Sequence, residues 1–418
     1  MDKISVEGGS RLYGRTVIGG MKNSALPVIY ACLLIKDECI IENVPRVSDV
    51  ENSLQILRGM GAYADFVGEH TVRIDASSAI GEIKDFPLVS KMRASSYLMG
   101  VLISRFGKAY LPMPGGCNFG ARPIEQHLKG FSCLGANCSE ENGLINIKAK
   151  EKLKSAKITL DKISVGATIN TVLASVLIDG ETVIENVARE PHVIDLINFL
   201  NACGAKIVHL GSKIAVEGVK ELHGIKYRIY PDMIESLTYM ACVGVCGGEA
   251  ELIGAEFSHI SYVCDIFEKM GLGIKSDRER IIVKSRGNIN GADVITAPYP
   301  LFPTDLHPQF ASMLCFANGG GTVTEEIFPG RFGYVSELRK MGADIVREKN
   351  SVIISKSEMH AAELDATDLR AGAALIVASL GADGRSIVNN VGYIVRGYEN
   401  IVGKISDLGG KIKFIKEI

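Results

Sequence analysis

The sequence predicts an α/β protein of six repeats, three to a domain, with buried helices at the centre of each domain. Three observations predict this fold. The chain has 418 residues, and one domain commonly holds roughly 150. A glycine that ends a helix recurs at a nearly constant interval, and each repeat opens with a helix that is apolar on nearly every side.

The helix-ending glycine marks each repeat. It occurs in segments such as LRGMGAYADF, LNACGAKIVH and LRKMGADIVR, and the intervals between successive glycines are 74, 69, 67, 71 and 67 residues. Glycine suits this position because it enters the left-handed backbone region without a Cβ clash. Six units of about 70 residues therefore account for the chain. The six glycines are Gly61, Gly135, Gly204, Gly271, Gly342 and Gly409.

Each unit reads as an apolar helix, a turn, a strand, a more polar helix that ends at the glycine, and two strands. The third unit shows this order most clearly. Ser164 is the expected N-cap of the helix VGATINTVLASVLI, Asp179 and Gly180 form a turn, and ETVIENV alternates as a strand. The segment AREP then leads into the second helix, HVIDLINFLNACG.

The first helices predict where the core lies. A helix that is apolar all round has to be buried, so we expect these helices inside and the sheets outside. The opening strands, KISVEGGSRLYGRTVIGG, match the strand pair that precedes other repeats, so we expect them to follow the final KIKFIKEI in space. The first helices are SALPVIYACLLI, SYLMGVLI, ATINTVLASVLI, LTYMACVGVC, PQFASMLCF and AALIVASL.

Composition excludes several classes of protein. Lys+Arg 46 and Asp+Glu 48 give a net charge of −2, so no global positive field holds DNA or RNA. The apolar stretch at 28–35 is too short to cross a bilayer, and MDKISVEGGS lacks the apolar segment of a signal peptide. The ten cysteines contain no CxxC pair. We therefore expect a soluble, cytoplasmic protein without a structural metal and without nucleic-acid or membrane partners.

Chemically distinctive residues recur at two places in the repeats, the start of the buried helix and the loop before the second helix. Helix N-termini attract anions, and added arginines strengthen that attraction, so an anionic ligand is expected. We expect like ends of the repeats to gather these residues around one pocket. The helix starts hold Lys22, Asn23, Arg93, Ser164, Asp305 and Arg370, and the loops hold Cys117, Arg122, Arg189, His259, Arg331 and Arg396.

Most of these residues also have a structural interpretation. A single arginine near a helix end often forms an exposed ion pair. Asn23, Ser164 and Asp305 could be helix caps, and Lys22 could be a solvated turn residue. Four histidines show no metal-ligand spacing, so we expect them to have structural roles. Two cysteines lie one helical turn apart, as small buried side chains in a core would, so we expect a structural role for them too. These are His127, His192, His259 and His307, and Cys242 and Cys246.

Cys117 differs because of its setting in LPMPGGCNFGARP. Two prolines and three glycines disfavour regular structure there, so a cysteine has little reason to serve packing. An accessible loop thiol is open to reaction, and the nearby Arg122 would favour the thiolate. A reactive role for Cys117 is therefore a hypothesis of the same weight as a structural one.

Nine motifs are spread along the full chain. They are GGMKNSALP at 19–27, KMRAS at 91–95, PGGCNFGARP at 114–123, DKISVGAT at 161–168, AREP at 188–191, FPTD at 302–305, GRF at 330–332, ATDLRAG at 366–372 and VRGYEN at 395–400. Together they resemble the UDP-N-acetylglucosamine enolpyruvyl transferases. The Cys117 loop and the Lys22–Asn23 pair favour this family over its relative that acts on shikimate 3-phosphate, which remains the alternative. A non-catalytic repeat scaffold is a second alternative.

The resemblance implies a fold and a reaction. The fold is an inside-out α/β barrel of two domains, with residues 22–230 in the first and residues 1–21 and 231–418 in the second. The reaction transfers the enolpyruvyl group of phosphoenolpyruvate to the 3-hydroxyl of UDP-N-acetylglucosamine and releases phosphate through a tetrahedral intermediate. This is the first committed step of peptidoglycan synthesis, and it implies no cofactor and no metal.

The resemblance also implies residue roles. Lys22, Arg122 and Arg396 would bind the phosphate of phosphoenolpyruvate, and Arg331 and Arg370 its carboxylate. Asn23 and Asp305 would hold the sugar, with Asp305 taking the 3-hydroxyl proton. Cys117 would protonate the methylene carbon and would be the target of fosfomycin. Further substrate contacts are implied for Arg93, Pro123, Ile124, Lys162, Ser164, Val165, Gly166 and Ile327, and family residues are replaced at Glu125, His192, Leu301 and Val395.

Overall fold

The structure is a computed structural model that describes residues 3–115 and 123–415. Cys117 and Arg122 therefore lie outside the described residues. The chain divides into two compact units, with boundaries between Gly19 and Gly20 and between Tyr230 and Pro231. We call the unit within 20–230 the continuous unit and the unit of residues up to 19 and from 231 the split unit.

The helices follow the repeats. Within the described ranges they are α1 (Lys22–Ala31), α2 (Ser48–Gly59), α3 (Phe86–Val89), α4 (Leu98–Phe106), α5 (Glu125–Cys133), α6 (Val165–Ser175), α7 (Pro191–Ala202), α8 (Met233–Cys246), α9 (Ser261–Lys269), α10 (His307–Leu314), α11 (Tyr334–Lys340), α12 (Leu369–Gly381) and α13 (Ile401–Asp407). Short 3-10 helices lie at Cys32–Leu34, Arg93–Tyr97, Phe257–His259 and Val391–Arg396. None of the helices in the described part of the chain is long and apolar enough to span a membrane.

The strands of the described ranges form six small sheets. In chain order, the strands among the described residues are β1 (Lys3–Glu7), β2 (Leu12–Val17), β3 (Glu38–Glu42), β4 (Tyr63–Phe66), β5 (Thr71–Asp75), β6 (Lys108–Pro112), β7 (Ala136–Glu141), β8 (Leu144–Ala149), β9 (Lys157–Thr159), β10 (Glu181–Glu185), β11 (Lys206–Leu210), β12 (Lys213–Glu217), β13 (Lys226–Arg228), β14 (Gly248–Ile253), β15 (Gly273–Ser276), β16 (Arg280–Ser285), β17 (Val294–Ile295), β18 (Gly321–Thr324), β19 (Ile345–Glu348), β20 (Ser351–Ile354), β21 (Glu363–Asp365), β22 (Arg385–Asn389) and β23 (Lys411–Ile415).

Three sheets belong to the continuous unit. Their strand orders are β13-β3-β5-β4, β6-β8-β7 and β11-β12-β10-β9. The hairpin of each repeat pairs antiparallel, whereas β13 joins β3 and β9 joins β10 in parallel. Helix α4 contacts both α1 and α6, which places the three apolar helices together.

The other three sheets belong to the split unit, with orders β15-β16-β14-β2, β17-β18-β20-β19 and β21-β22-β1-β23. Helices α8, α10 and α12 contact one another at its centre. Strand β1 pairs antiparallel with β23, with Lys3 opposite Ile415. The prediction that both ends of the chain meet in space is therefore confirmed.

The central helices are buried as predicted. Every residue from Met233 to Val245 in α8 is buried, and so is every residue from Leu369 to Leu380 in α12. Such a helix needs partners on all sides, which the other two central helices and the surrounding sheets supply. Each unit therefore has its central helices inside and its sheets outside.

The glycines that mark the repeats also behave as predicted. All six have a positive φ, between 85° at Gly409 and 103° at Gly271. Several helix boundaries differ from the predicted segments, and α6, for example, begins after Ser164 but ends at Ser175 rather than at Ile178. The amide of Ile178 donates to the carbonyl of Ser175 at 3.1 Å, so the last turn tightens and leaves the α-helical pattern.

Candidate functional site

Asp305 lies between two arginines in the split unit. Arg331 Nη1 donates to Oδ1 of Asp305 at 2.7 Å, and Arg370 donates to Oδ2 through Nη2 at 3.0 Å and Nε at 3.2 Å. Asp305 immediately precedes Leu306, the N-cap of α10, whereas Arg370 is the second residue of α12. The packing of these two central helices therefore joins residues that are far apart in sequence. We call Asp305, Arg331 and Arg370 the Asp305 clamp.

The clamp is charged and mostly sheltered from solvent. The side chains of Arg331 and Arg370 are 4% and 3% exposed, and that of Asp305 is 30% exposed. Burial raises the pKa of a carboxyl group, but the charges of the two guanidiniums outweigh burial and hold the pKa of Asp305 well below its usual range. The clamp therefore presents an ionised carboxylate and two guanidiniums at one partly open point.

Arg370 is held from two sides. Asp368 caps α12 by accepting the backbone amides of Arg370 and Ala371 at 2.9 and 3.1 Å. The Arg370 guanidinium also lies over the ring of Tyr398, 5.2 Å from its centroid. Its Nη1 is buried and has no hydrogen-bond partner among residues 3–115 and 123–415. This arginine is therefore fixed in place, with one hydrogen-bond donor that no described residue uses.

Two other predicted residues of the split unit lie on separate segments. Arg396 ends the 3-10 helix Val391–Arg396, which packs on α12, and its side chain is half-buried. Ile327 lies in the turn after β18, where its amide donates to Oε1 of Glu325 at 2.8 Å. The sequence offered no sign of Glu325 as a contact of the predicted site.

Lys22 opens α1 in the continuous unit. Its Nζ lies 3.1 Å from Oδ2 of Asp49, and the side chains are only 12% and 8% exposed. The interpretation of Lys22 as a solvated turn residue is therefore wrong. Asn23 is the second residue of α1, whose N-cap is Met21, so Asn23 is not a cap either. Asp49 was missed by sequence reasoning, and its only signal is an acidic residue in the first turn of α2.

The start of α6 carries the predicted nucleotide contacts. Ser164 is the N-cap, and its hydroxyl accepts the amide of Ala167 at 3.3 Å, which confirms the predicted cap. A hydroxyl accepts and also donates, so this cap keeps a hydrogen for a ligand. Val165 and Gly166 form the first turn, where backbone amides point outward, and Lys162 is exposed just before it.

His127 packs against the start of α6. It is buried, and a Cβ atom on Gly166 would lie 2.8 Å from its Cε1. Asn170 accepts the amide of Gly100 through Oδ1 at 2.8 Å, so its Nδ2 faces Nδ1 of His127 at 2.9 Å and donates to it. The hydrogen of His127 is therefore on Nε2. The structural interpretation of this histidine is confirmed.

Arg93 belongs to the same region. Its Nη2 donates to the carbonyl of Pro123 at 3.3 Å. Pro123 is exposed and Ile124 is buried, just before α5. The structure thus brings Arg93 to the segment that leads into α5.

Protonation of His127 should make the protein sensitive to acid. Burial, together with the nearby positive charge of Arg93, lowers the pKa of His127 to about 3. Below about pH 6.5 the unfolded chain binds this proton, whereas the folded protein does not. The contribution of His127 to the free energy of unfolding is therefore full above that pH, and it is lost as the pH falls towards 3. We expect a loss of about 1.4 kcal/mol per pH unit from this group.

Urea unfolding at pH 7.5 and pH 5.5 measures the effect. The free energy of unfolding of the wild type should fall more from pH 7.5 to pH 5.5 than that of His127→Gln. The exposed His223, changed to Gln, is a control in the same unit and should keep the wild-type dependence. Equal pH dependence in wild type and His127→Gln would contradict the prediction.

The structure supports some of the other structural interpretations and contradicts one. Asp305 is not a cap, because its carboxylate is bound by the clamp arginines. His307 is buried, as a core histidine would be, and so is Cys242, whereas Cys246 is partly buried. Across residues 3–115 and 123–415 the structure contains no cluster of three His, Cys, Asp or Glu side chains that could hold a metal ion.

Comparison with known proteins shows similarity along the whole chain. The family model described as EPSP synthase (3-phosphoshikimate 1-carboxyvinyltransferase) matches residues 6–405. The chain is 43% identical to the UDP-N-acetylglucosamine 1-carboxyvinyltransferase of Halothermothrix orenii, with 100% of both chains covered. It is 42% identical to UDP-N-acetylglucosamine 1-carboxyvinyltransferase 3 of Caldanaerobacter subterraneus, again over 100% of both.

A solved structure shares the fold. The enolpyruvyl transferase NikO from Streptomyces tendae superposes with a TM-score of 0.90 at 23% identity, covering 99% of this chain and 98% of that one. The predicted fold class, an inside-out α/β barrel, is therefore confirmed. With the family model spanning residues 6–405 and full-length relatives above 40% identity, the chain belongs to the enolpyruvyl transferase family.

Proposed function

We propose that this protein transfers the enolpyruvyl group of phosphoenolpyruvate to the 3-hydroxyl of UDP-N-acetylglucosamine and releases phosphate. This reaction is the first committed step of peptidoglycan synthesis. The observation that carries the proposal is the Asp305 clamp, which joins an ionised carboxylate to two sheltered guanidiniums in a chain with full-length carboxyvinyltransferase relatives. A base beside carboxylate-binding cations is what addition of an alcohol to phosphoenolpyruvate requires.

The charge of the clamp explains how the base becomes effective. Asp305 alone is a weak base because Arg331 and Arg370 stabilise its charge. When the carboxylate of phosphoenolpyruvate binds the same guanidiniums, each cation is shared between two anions. The pKa of Asp305 then rises, and Asp305 becomes better able to accept the 3-hydroxyl proton as the new bond forms. Substrate binding thus prepares the base.

The steps balance as addition followed by elimination. The 3-hydroxyl oxygen bonds to C2 of phosphoenolpyruvate while its proton passes to Asp305, and Cys117 gives a proton to the methylene carbon. The resulting tetrahedral intermediate returns a proton from that carbon to the Cys117 thiolate, the double bond re-forms, and the bond between C2 and the phosphate oxygen breaks. The departing phosphate takes up the proton held by Asp305. Cys117 lies outside the described residues, so its role rests on the family motif.

Other cations would bind the phosphate. We assign this role to Lys22, Arg396 and Arg122, the last of which also lies outside the described residues. Phosphoenolpyruvate carries nearly three negative charges, and cations fixed in advance offset the charge that moves onto the leaving phosphate. Lys22 is already fixed by its ion pair with Asp49.

The continuous unit would bind the sugar nucleotide. The first turn of α6 offers backbone amides and the Ser164 hydroxyl to the diphosphate, and the helix dipole favours its negative charge. The exposed Lys162 adds a positive charge next to this turn. Further contacts are assigned to Asn23, Arg93, Pro123, Ile124, Val165 and Gly166, and in the split unit to Ile327.

Phosphate release tests the proposed function directly. Purified protein should release phosphate from phosphoenolpyruvate only when UDP-N-acetylglucosamine is present. Release that requires shikimate 3-phosphate instead would assign the chain to the other acceptor, and no release with either would favour the scaffold. We also propose a cytoplasmic location, in keeping with the free state of all cysteines among the described residues.

Replacing Cys117 with serine should nearly abolish turnover. A serine hydroxyl is a much weaker acid than a thiol, so protonation of the methylene carbon should slow by about 10²-fold or more. Cys242→Ala is the matched control, because Cys242 is buried in α8, and it should keep most of the activity. Similar losses in both variants would show that the loop thiol has no special role.

Fosfomycin offers a second measurement on the same pair. We propose that it alkylates Cys117, so mass spectrometry should find one adduct on the wild type and on Cys242→Ala. The Cys117→Ser variant should show none. An adduct on Cys117→Ser would contradict the assignment.

A further inference from the structure

A buried carboxylate lies directly behind the Asp305 clamp. Glu325 follows β18 and is fully buried. Its Oε1 accepts the amides of Ile327 at 2.8 Å and Phe328 at 2.7 Å. Its Oε2 accepts the Thr304 hydroxyl at 2.8 Å and lies 3.0 Å from Nδ1 of His307. Two donors therefore face each oxygen of a carboxylate that is closed off from solvent.

The charge states of Glu325 and His307 determine which group donates in each of these hydrogen bonds. Burial raises the pKa of a carboxyl group, but hydrogen bonds from His307 and its neighbours outweigh burial and lower the pKa of Glu325. Burial lowers the pKa of His307, which is therefore neutral. A neutral imidazole facing a carboxylate carries its hydrogen on Nδ1, so its Nε2 accepts the hydroxyl of Tyr334 at 2.6 Å.

The segments that carry three proposed substrate contacts meet at Glu325. Thr304 is bound to Oε2, directly precedes Asp305, and accepts Nη1 of Arg331 at 3.1 Å. Because the Thr304 hydroxyl gives its hydrogen to Glu325, its lone pairs face the guanidinium. Ile327 is bound to Oε1 through its backbone. One carboxylate thus fixes the base, a guanidinium of the clamp and the Ile327 turn relative to one another.

We propose that Glu325 is a positioning residue of enolpyruvyl transfer, acting through Thr304 on Asp305 and Arg331 and through the backbone on Ile327. The inference rests on the proposed function. A buried charge is no better for stability than a well-packed apolar side chain of similar volume, so stability alone does not require a carboxylate here. Orientation of four separate donors does require one.

Glu325→Gln tests this role with little change in shape. An amide has one acceptor oxygen, so it cannot accept from both the Ile327–Phe328 amides and the Thr304–His307 pair. We expect kcat for phosphate release to fall about 10- to 100-fold, with smaller changes in KM. Glu326→Gln is the matched control, because the neighbouring Glu326 is exposed and binds only Nδ2 of Asn350 among the hydrogen bonds of its side chain that the structure describes. It should keep kcat within about two-fold of the wild-type value.

Nitrogen NMR of the imidazoles supplies a readout besides activity. The signals of His307, assigned by their loss in His307→Gln, should show hydrogen on Nδ1 in the wild type and in Glu326→Gln. In Glu325→Gln the amide group can donate to Nδ1, and the hydrogen should move to Nε2. An unchanged tautomer in Glu325→Gln would overturn the proposed direction of the network.

The outcomes separate the two proposals. A wild-type protein that releases no phosphate with UDP-N-acetylglucosamine would overturn the proposed function and this role with it. A wild type that turns over, with Glu325→Gln retaining more than half of its kcat, would overturn the positioning role alone. If Glu325→Gln does not fold, Thr304→Val decides, because it removes the hydroxyl link at equal volume. A loss of kcat that Thr304→Ser largely recovers would support the role, and no loss would overturn it.

Discussion

Replacing Asp305 with asparagine is expected to lower kcat by about 10³-fold, the largest effect of any single change in the split unit. Asparagine keeps the size of the side chain but cannot accept the 3-hydroxyl proton. It also leaves Arg331 and Arg370, both nearly inaccessible to solvent, without the carboxylate that they share. Steady-state phosphate release with both substrates measures the loss.

The same variant should not bind phosphoenolpyruvate more weakly than the wild type. Because the asparagine of Asp305→Asn is neutral, Arg331 and Arg370 no longer share their charge between two anions. KM for phosphoenolpyruvate should therefore not rise. Asp277→Asn is the matched control, because Asp277 is exposed in the same unit and pairs with Arg280. A kcat for Asp305→Asn within ten-fold of the wild type would exclude Asp305 as the base.

Replacing Arg370 with lysine should reduce kcat/KM for phosphoenolpyruvate by about 10²-fold. Arg370 gives two nitrogens to Oδ2 of Asp305, and its buried Nη1 has no hydrogen-bond partner among the described residues, so we propose Nη1 as the donor to the substrate carboxylate. Lysine retains the charge but has a single nitrogen, so it cannot reach both acceptors in the planar geometry of a guanidinium. We expect the loss mainly in KM for phosphoenolpyruvate.

An exposed arginine gives the comparison for this change. Arg280 also contacts two carboxylates, Glu251 at 2.7 Å and Asp277 at 3.3 Å, but on the surface of the split unit. Arg280→Lys should therefore leave kcat/KM within about two-fold, because exposed ion pairs contribute little. If Arg370→Lys behaves like Arg280→Lys, the clamp does not bind the substrate carboxylate.

The sequence revealed the repeats because their signals are local. A glycine with positive φ and an apolar helix are each specified within a few residues, and six copies at a regular interval leave little room for another fold. The cap of α6 at Ser164 was predictable for the same reason. Where residues close in sequence determine the backbone conformation, the sequence pattern predicts the structure.

The clamp could not be predicted from local pattern. Asp305 and Arg370 are 65 residues apart, and they meet because α10 packs on α12. Family resemblance named both residues, but it did not reveal that they contact one another. Glu325 was missed altogether, although alternation along β18 places it on the same side as the buried Val323. Its neighbour Glu326 is exposed, and two adjacent glutamates look alike in sequence.

The pairing of β1 with β22 and β23 has a consequence for how the chain is made. Strand β1 leaves the ribosome well before β22 and β23, and it finds these partners only after nearly 400 further residues have been added, a wait of roughly 20 to 80 s at ordinary rates of translation. The stretch from Gly20 to Tyr230 can meanwhile complete its own sheets. The residues of β1 thus wait for strands made much later, and during that interval a chaperone or a mispaired strand edge competes for them.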